Sequence, residues 1–367
     1  MKRLFTLLVT LIMTVTASLA QQNLHIWNYY GGKSTVLPTS QVDSLTFSGD
    51  TCAWLFYLPT PESSEVTANS FTISAKASFY ENVKSIVNET PEVGICYSYE
   101  NSVPTYPNPY DTNHNSSKVL GKEIKDYSLT LYNLIPGTTY YYRTYVRFLG
   151  VAYYSDVKSV TTLGEKPEKP QDVIINGHEF VDLGLPSGLL WARTNVDNTK
   201  LLNRRGFFAW GETEIKGTYS WINYKWGDGS ESEEYGDLVK YNSTDGKISL
   251  DTEDDCATAQ WGEGCRMPSS SEFVELCRNC NWSLTYDQGR TALLLVGTNG
   301  NSITFPAKGY RNDNRLYVSG YGYYWTCSLD EEYPFLARCL FFKDDGVPVH
   351  STESRYVGMQ VRAVAEK

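Results

Sequence analysis

The sequence predicts a mainly β chain of several domains: an N-terminal β-hairpin unit, a β-sandwich, and a C-terminal α+β domain with two helices. Three observations predict it. Tyr and Gly are abundant, 28 of each against 4 Met, a balance that suits twisted sheets and tight turns. The stretch "SFTISAKASF" alternates apolar and polar residues with a period of two. Helix-start signals fall in two neighbouring stretches of the last third of the chain. With 367 residues the polypeptide is long enough for two or three ordinary domains.

The first residues are expected to be an export signal. Lys2 and Arg3 precede an apolar run from Leu4 to Val15, and Ala17-Ser18-Leu19-Ala20 has the small residues of a cleavage site. The run is shorter than a membrane span needs, so cleavage after Ala20 is favoured over a retained anchor. No Cys follows that site, so a lipid anchor there is not expected. No later segment is long and apolar enough for a transmembrane segment, and the mature chain is expected to be exported, to the surface, the medium or the periplasm. A net charge of −10 argues against nucleic acid or an anionic membrane as the partner.

Residues 21–65 read as the hairpin unit and its connection. Leu24, His25, Ile26 and Asn28 alternate before a Gly31-Gly32 turn, and a second extended run ends in Leu45-Thr46-Phe47. Such a unit cannot bury a core alone. Residues 66–162 read as the sandwich. Phe71, Ile73, Ala75, Ala77 and Phe79 share one face. Leu134, Pro136, Gly137 and Tyr140 have the spacing of a tyrosine corner, in which a Tyr hydroxyl caps a backbone turn. The segment resembles a fibronectin type III domain, which implies a spacer or a partner-binding module. The charged, Pro-rich "LGEKPEKPQD", residues 163–172, reads as a stiff linker.

Residues 173–367 form the last domain. "VDLGLPSGLLWA" places strand residues on both sides of a Pro-Ser-Gly turn. "YSWINYKWGDG" lacks sustained alternation and reads as a loop. In "LDTEDDCATAQWG", Asp251 is the expected N-cap of a first helix, with Asp254 three residues on. In "CRMPSSSEFVELCRNC", Ser269 and Glu272 make a capping box, and Phe273, Leu276 and Cys277 fall on one helical face. Near the C-terminus Val357, Met359, Val361 and Ala363 alternate.

Five motifs, "VDLGLPSGLLWA", "FFAWGE", "DDCATAQWGEGCRMPSSSEF", "GYYWTCSL" and "GMQVRAV", resemble the major paralogous domain family of the Fibrobacter succinogenes type. The "WGEGCRMPSSSEF" region is also similar to the core of formylglycine-generating enzymes. The resemblance implies a C-type-lectin-like fold, with two helices beside twisted sheets and the domain's ends brought together. On that reading "VDLGLPSGLLWA" is scaffold whose strand lies near the C-terminal strand.

An enzyme of the formylglycine-generating type needs a close pair of reactive Cys in the C-terminal part of the domain. The candidates are Cys327 and Cys339. If their flanks form a hairpin centred near Tyr333, the two lie directly opposite and Trp325 and Phe341 share their face; a structural bridge or a packed thiol pair is favoured over a catalytic pair. A one-residue slip would overturn this. Cys256, Cys265, Cys277 and Cys280 are poorly spaced for zinc, and no metal is expected. Asp251, Glu253, Asp254 and Asp255 read as capping and solvated acids before they read as a calcium site. His25, His114, His178 and His350 lie in no nucleophile motif. No cofactor is expected.

The remaining signal is aromatic. Trp221, Tyr224 and Trp226 occupy one polar loop, and Tyr310, Tyr317, Tyr321, Tyr323 and Tyr324 cluster around Gly-rich turns. Flat rings beside polar groups suit stacking of a carbohydrate or protein ligand. Packing of a small twisted domain also consumes aromatics, and both readings stand at this point. The expectation is a non-catalytic, exported binding or adhesion protein that presents its last domain to a glycan or an extracellular protein. An oxidase related to the formylglycine-generating group and a subunit of a surface assembly are the alternatives.

Overall fold

The computed structural model describes residues 23–27, 34–38, 56–79, 90–107, 115–123, 125–148, 150–196, 206–229, 238–287, 290–318, 320–343 and 348–367. These residues form a multidomain, mainly β protein with two α-helices. The expected export signal lies outside them. None of the described helices is long and apolar enough to cross a membrane.

β1 (Asn23–Trp27) and β2 (Ser34–Pro38) pair antiparallel, with Asn23 opposite Pro38 and Trp27 opposite Ser34. The second run foreseen at Leu45-Thr46-Phe47 lies outside the described residues.

The sandwich comprises β3 (Phe56–Tyr57), β4 (Glu62–Ser64), β5 (Phe71–Phe79), β6 (Glu92–Ser98), β7 (Ser116–Gly121), β8 (Lys125–Leu131), β9 (Thr139–Phe148), β10 (Val151–Tyr154) and β11 (Lys158–Thr161). In one sheet β5 pairs with β3, β4 and β8; in the other the order is β10-β9-β6-β7, with β11 also on β9. The alternation of β5 follows from this. Phe71, Ile73, Ala75 and Ala77 face the opposite sheet and are buried, while Ser74 and Lys76 are exposed. The tyrosine corner forms as its spacing predicts: the buried Tyr140 hydroxyl accepts the Ile135 amide at 2.9 Å.

The last domain begins with β12 (Val173–Ile175), β13 (His178–Asp182) and β14 (Leu190–Ala192). Two helices, α1 (Cys256–Trp261) and α2 (Ser270–Asn279), follow a long strand-poor stretch. Then come β15 (Asn281–Asp287), β16 (Arg290–Val296), β17 (Ser302–Pro306), β18 (Tyr310–Asn312), β19 (Arg315–Tyr317), β20 (Gly322–Leu329), β21 (Leu336–Phe342), β22 (Val349–Ser354) and β23 (Val364–Ala365). β14 pairs with β23, Trp191 opposite Val364, which joins the two ends of the domain. The β13–β14 hairpin is buried on both faces. Phe180, Leu190 and Ala192 join one core cluster, while Val181, Leu183 and Trp191 join the other. Its near-continuous apolar sequence is the signature of a strand with no solvent face.

α2 starts as expected: Ser269 Oγ accepts the Glu272 amide, and the Glu272 carboxylate accepts the Ser269 amide at 2.7 Å. The first helix starts four residues later than Asp251 suggests. Asp251 precedes a single 3-10 turn, Thr252–Asp254, and makes no side-chain cap there. Asp255 is the α-helical cap, accepting the amides of Ala257 and Thr258. Both residues are extended, but the Asp251 carboxylate is paired with Lys240 and Lys247, whereas that of Asp255 faces the first α-helical amides.

The sandwich and the last domain meet along β7 and β15. The Ser116 and Ser283 hydroxyls share a buried hydrogen bond of 2.8 Å, and the Tyr97 hydroxyl reaches Asn281 Oδ1 at 2.8 Å. Lys118 lies over the Trp282 ring, 3.0 Å from its centroid, and donates to the Trp282 carbonyl. The corner loop of the sandwich caps α2: Asn133 Nδ2 donates to the Arg278 and Cys280 carbonyls. Residues 163–172 do not span a gap. Pro170 and Asp172 are held by Asn301 and Arg193 of the last domain.

Candidate functional site

The two aromatic groups separate in the structure. Trp221, Tyr224 and Trp226 lie in a loop with one 3-10 turn, Trp221–Asn223, but they pack inward. Trp221 and Tyr224 are buried, with ring centroids 5.4 Å apart. The Tyr224 hydroxyl donates to the Trp210 carbonyl at 2.7 Å and accepts Arg355 Nε at 2.8 Å. The half-buried Trp226 donates to the Gly211 carbonyl. Burial above all pushes the Tyr224 hydroxyl far above its ordinary value, and Arg355 pulls against it. These rings are therefore packing residues, which corrects the surface expected for them. The physical reason is Arg355. Its guanidinium is fully buried, donating also to the Tyr241, Pro334 and Lys240 carbonyls, and the loop wraps around it.

Tyr324 is corrected in the same way. It is fully buried at the centre of β20, and its hydroxyl donates to the Pro306 carbonyl at 2.8 Å. β20 alternates, so its neighbour Tyr323 takes the other face.

Tyr310, Tyr317, Tyr321 and Tyr323 come together at the surface. Tyr317 stacks on Tyr310 with centroids 5.0 Å apart and planes 9° from parallel. Tyr310 meets Tyr323 edge-on at 5.1 Å, Tyr323 meets Phe341 at 4.9 Å, and Tyr321 meets Phe341 at 5.8 Å. Five rings form one ladder. Tyr317 is 40% exposed, and the others keep a partial solvent face. Among the described residues none of the four tyrosine hydroxyls has a hydrogen-bond partner.

Backbone geometry builds the ladder. β18 and β19 pair Tyr310 with Tyr317, and β20 and β21 pair Tyr323 with Phe341. Gly309 joins the two hairpins at φ 71°, where a Cβ would lie 1.8 Å from the Tyr317 carbonyl oxygen; only glycine fits. Phe341 was not foreseen as a site residue, although the hairpin expected around Tyr333 already set it beside β20. Glu353, on β22 next to β21, was missed as well. Its only sequence signal is the alternation of an otherwise polar strand, "VHSTES".

The thiols do not form the expected pair. Leu329 pairs with Ala337, as a hairpin centred near Tyr333 requires, but the register then slips by two residues and Trp325 faces Cys339. Cys327 sits inside the bulge. Its amide donates to the Pro268 carbonyl and its carbonyl accepts the Leu250 amide, so another segment of the domain holds it away from β21. Both thiols are unbridged; Cys339 is buried, and Cys327 accepts Ser249 Oγ at 3.4 Å. Burial raises both above the ordinary thiol value.

The other cysteines of the last domain divide between two clusters: Cys256 and Cys265 in one, Cys277 and Cys280 in the other. The acids near α1 are filled by lysines. Lys240 Nζ lies 2.7 Å from Asp251, 2.6 Å from Asp254 and 3.3 Å from Glu253, and Lys225 holds Asp254 from the other side. His178 stacks on Trp261 at 3.9 Å, and His350 is exposed.

No family model matches the chain, and no curated protein does. Among solved structures, the sensor domain of the anti-sigma factor RsgI4 of Pseudobacteroides cellulosolvens is 26% identical, covers 30% of this chain and 97% of its own, and has a TM-score of 0.22. A fibronectin type III domain of the human KIAA0970 protein is 20% identical, covers 36% of this chain and 95% of its own, and also has a TM-score of 0.22.

Proposed function

We propose that the chain is an exported, non-catalytic binding protein whose last domain, of the major paralogous kind, offers the tyrosine ladder to a glycan or an extracellular protein. One observation carries this reading: four tyrosines share a solvent face while their hydroxyls have no partner among the described residues. A ring with a wet polar tip removes much apolar area on contact and loses few rotamers, which is what a recognition surface needs. The sandwich, joined to the last domain along β7 and β15, supports and orients that face.

The thiols weigh against the oxidase alternative. A nucleophilic Cys needs a lowered pKa and access, whereas Cys327 and Cys339 are raised and held by different segments. The test is an array of glycans and extracellular proteins probed with the chain from Gln21 onward. Binding is expected to weaken at least tenfold in Tyr317→Ala and Tyr321→Ala, with the melting temperature little changed. Ligands bound equally well by both variants would overturn the ring face. Thiol-dependent turnover would favour the oxidase, and reversible polymers in a sizing column the assembly subunit.

A further inference from the structure

Glu353 stands on the edge strand β22 beside the ladder. The register places it opposite Ala337, with Ser351 opposite Cys339 and Phe341 opposite Tyr323, so Glu353, Cys339, Phe341 and Tyr323 share one face of the sheet. Its carboxylate is half-buried, and among the described residues no ammonium, guanidinium or hydrogen-bond donor meets it. Burial raises its pKa; burial first, and the Glu353 charge second, raise the hydroxyls of Tyr310 and Tyr323. The carboxylate therefore acts on the same space as the rings.

Elsewhere in this domain the same combination is completed from within. Lys240 Nζ sits 5.0 Å from the centroids of both Trp226 and Tyr241, with Asp251 and Asp254 as its counter-charges. Rings, carboxylate and cation make a closed set: the negative ring faces and the carboxylate both favour a cation, and its alkyl stem covers apolar surface. At the ladder the rings and the carboxylate are present and the cation is absent among the described residues. The hydroxyls of a sugar could donate hydrogen bonds to Glu353 but would bring its half-buried charge no counter-charge.

Resting on the ring-face reading above, we infer that the ladder and Glu353 together form a receptor for an organic cation, the arginine or lysine side chain of a protein partner. The chain's net charge of −10 favours the approach of such a partner. The guanidinium lies over Tyr310 or Tyr323 and pairs with the Glu353 carboxylate, and its stem runs along Tyr317 or Phe341.

The test is an NMR titration of the intact exported chain with Nα-acetyl-arginine methylamide and with its uncharged counterpart, Nα-acetyl-citrulline methylamide. The arginine probe is expected to shift the ring resonances of Tyr310 and Tyr323 and to bind at least tenfold more tightly than the citrulline probe. Glu353→Gln is expected to erase that preference without lowering the melting temperature, because it removes a charge that burial disfavours. Equal binding of both probes, or a preference that survives Glu353→Gln, would overturn the inference. If the arginine probe fails while an array glycan is lost in Tyr317→Ala, the ring face stands and the cation site falls. If the ladder variants change the binding of neither probe nor array ligand, both readings fall.

Discussion

The loop around Arg355 and the ladder around Tyr323 use the same residue types in one domain and come to opposite ends. In the loop, three polar groups have partners inside the fold: Tyr224 on the Trp210 carbonyl, Trp226 on the Gly211 carbonyl, Arg355 on three carbonyls. In the ladder the rings touch one another, and among the described residues their hydroxyls have no hydrogen-bond partner. Aromatic density alone therefore does not mark a recognition surface. What separates the packed loop from the ladder is whether the polar tip is satisfied within the fold, because a buried hydroxyl must find a partner and an exposed one need not.

The sharpest break of this comparison is Arg355→Leu. It leaves the Tyr224 hydroxyl and three carbonyls short of a donor in a buried site, and the expected loss is about 3–5 kcal/mol in chemical denaturation. A loss below that range would mean that the loop does not depend on the guanidinium. Tyr224→Phe removes one buried hydroxyl and should cost about 1–3 kcal/mol by the same measurement, with ligand binding unchanged in the folded protein.

The seam between the domains offers a test of intermediate size. Burial pulls the Lys118 ammonium down to about 7, while the Trp282 face and carbonyl favour its charged form. In the unfolded chain the amine returns to its ordinary value near 10.5. Between those values unfolding takes up a proton, so this group makes stability rise with pH, by at most about 1.4 kcal/mol per pH unit. Melts of the parent and of Lys118→Met from pH 7 to 9.5 should diverge with that sign, and parallel curves would show that the seam does not desolvate the amine. Tyr317→Ala sits at the other extreme. With a solvent-exposed ring it should change stability by no more than about 0.5 kcal/mol and act on binding alone.

Local signals were the legible ones. The Ser269–Glu272 box, the Tyr140 corner and the alternation of β5 each depend on residues a few positions apart, and each forms as its spacing demands. The terminal alternation also holds, since Val357, Met359, Val361 and Ala363 are buried; so are Gln360 and Arg362 between them, because that segment has core on both sides. What the sequence hid lies in contacts between distant segments. Cys327 leaves the hairpin register because Pro268 and Leu250, remote in sequence, claim its backbone groups. Tyr224 turns inward because Arg355, 131 residues away, waits there. Tyr323 and Tyr324 are neighbours with opposite fates, and only the register of β20 against β21 decides which ring is buried.

The contrast between the two aromatic groups is tested most directly by tyrosine nitration of the native chain with tetranitromethane, mapped by mass spectrometry. Within these two groups, the account predicts that Tyr317 reacts first, followed by its ladder partners Tyr310, Tyr321 and Tyr323, and that Tyr224 and Tyr324 stay unmodified until the protein unfolds. Native-state modification of Tyr224 or Tyr324 as fast as that of Tyr317 would contradict it.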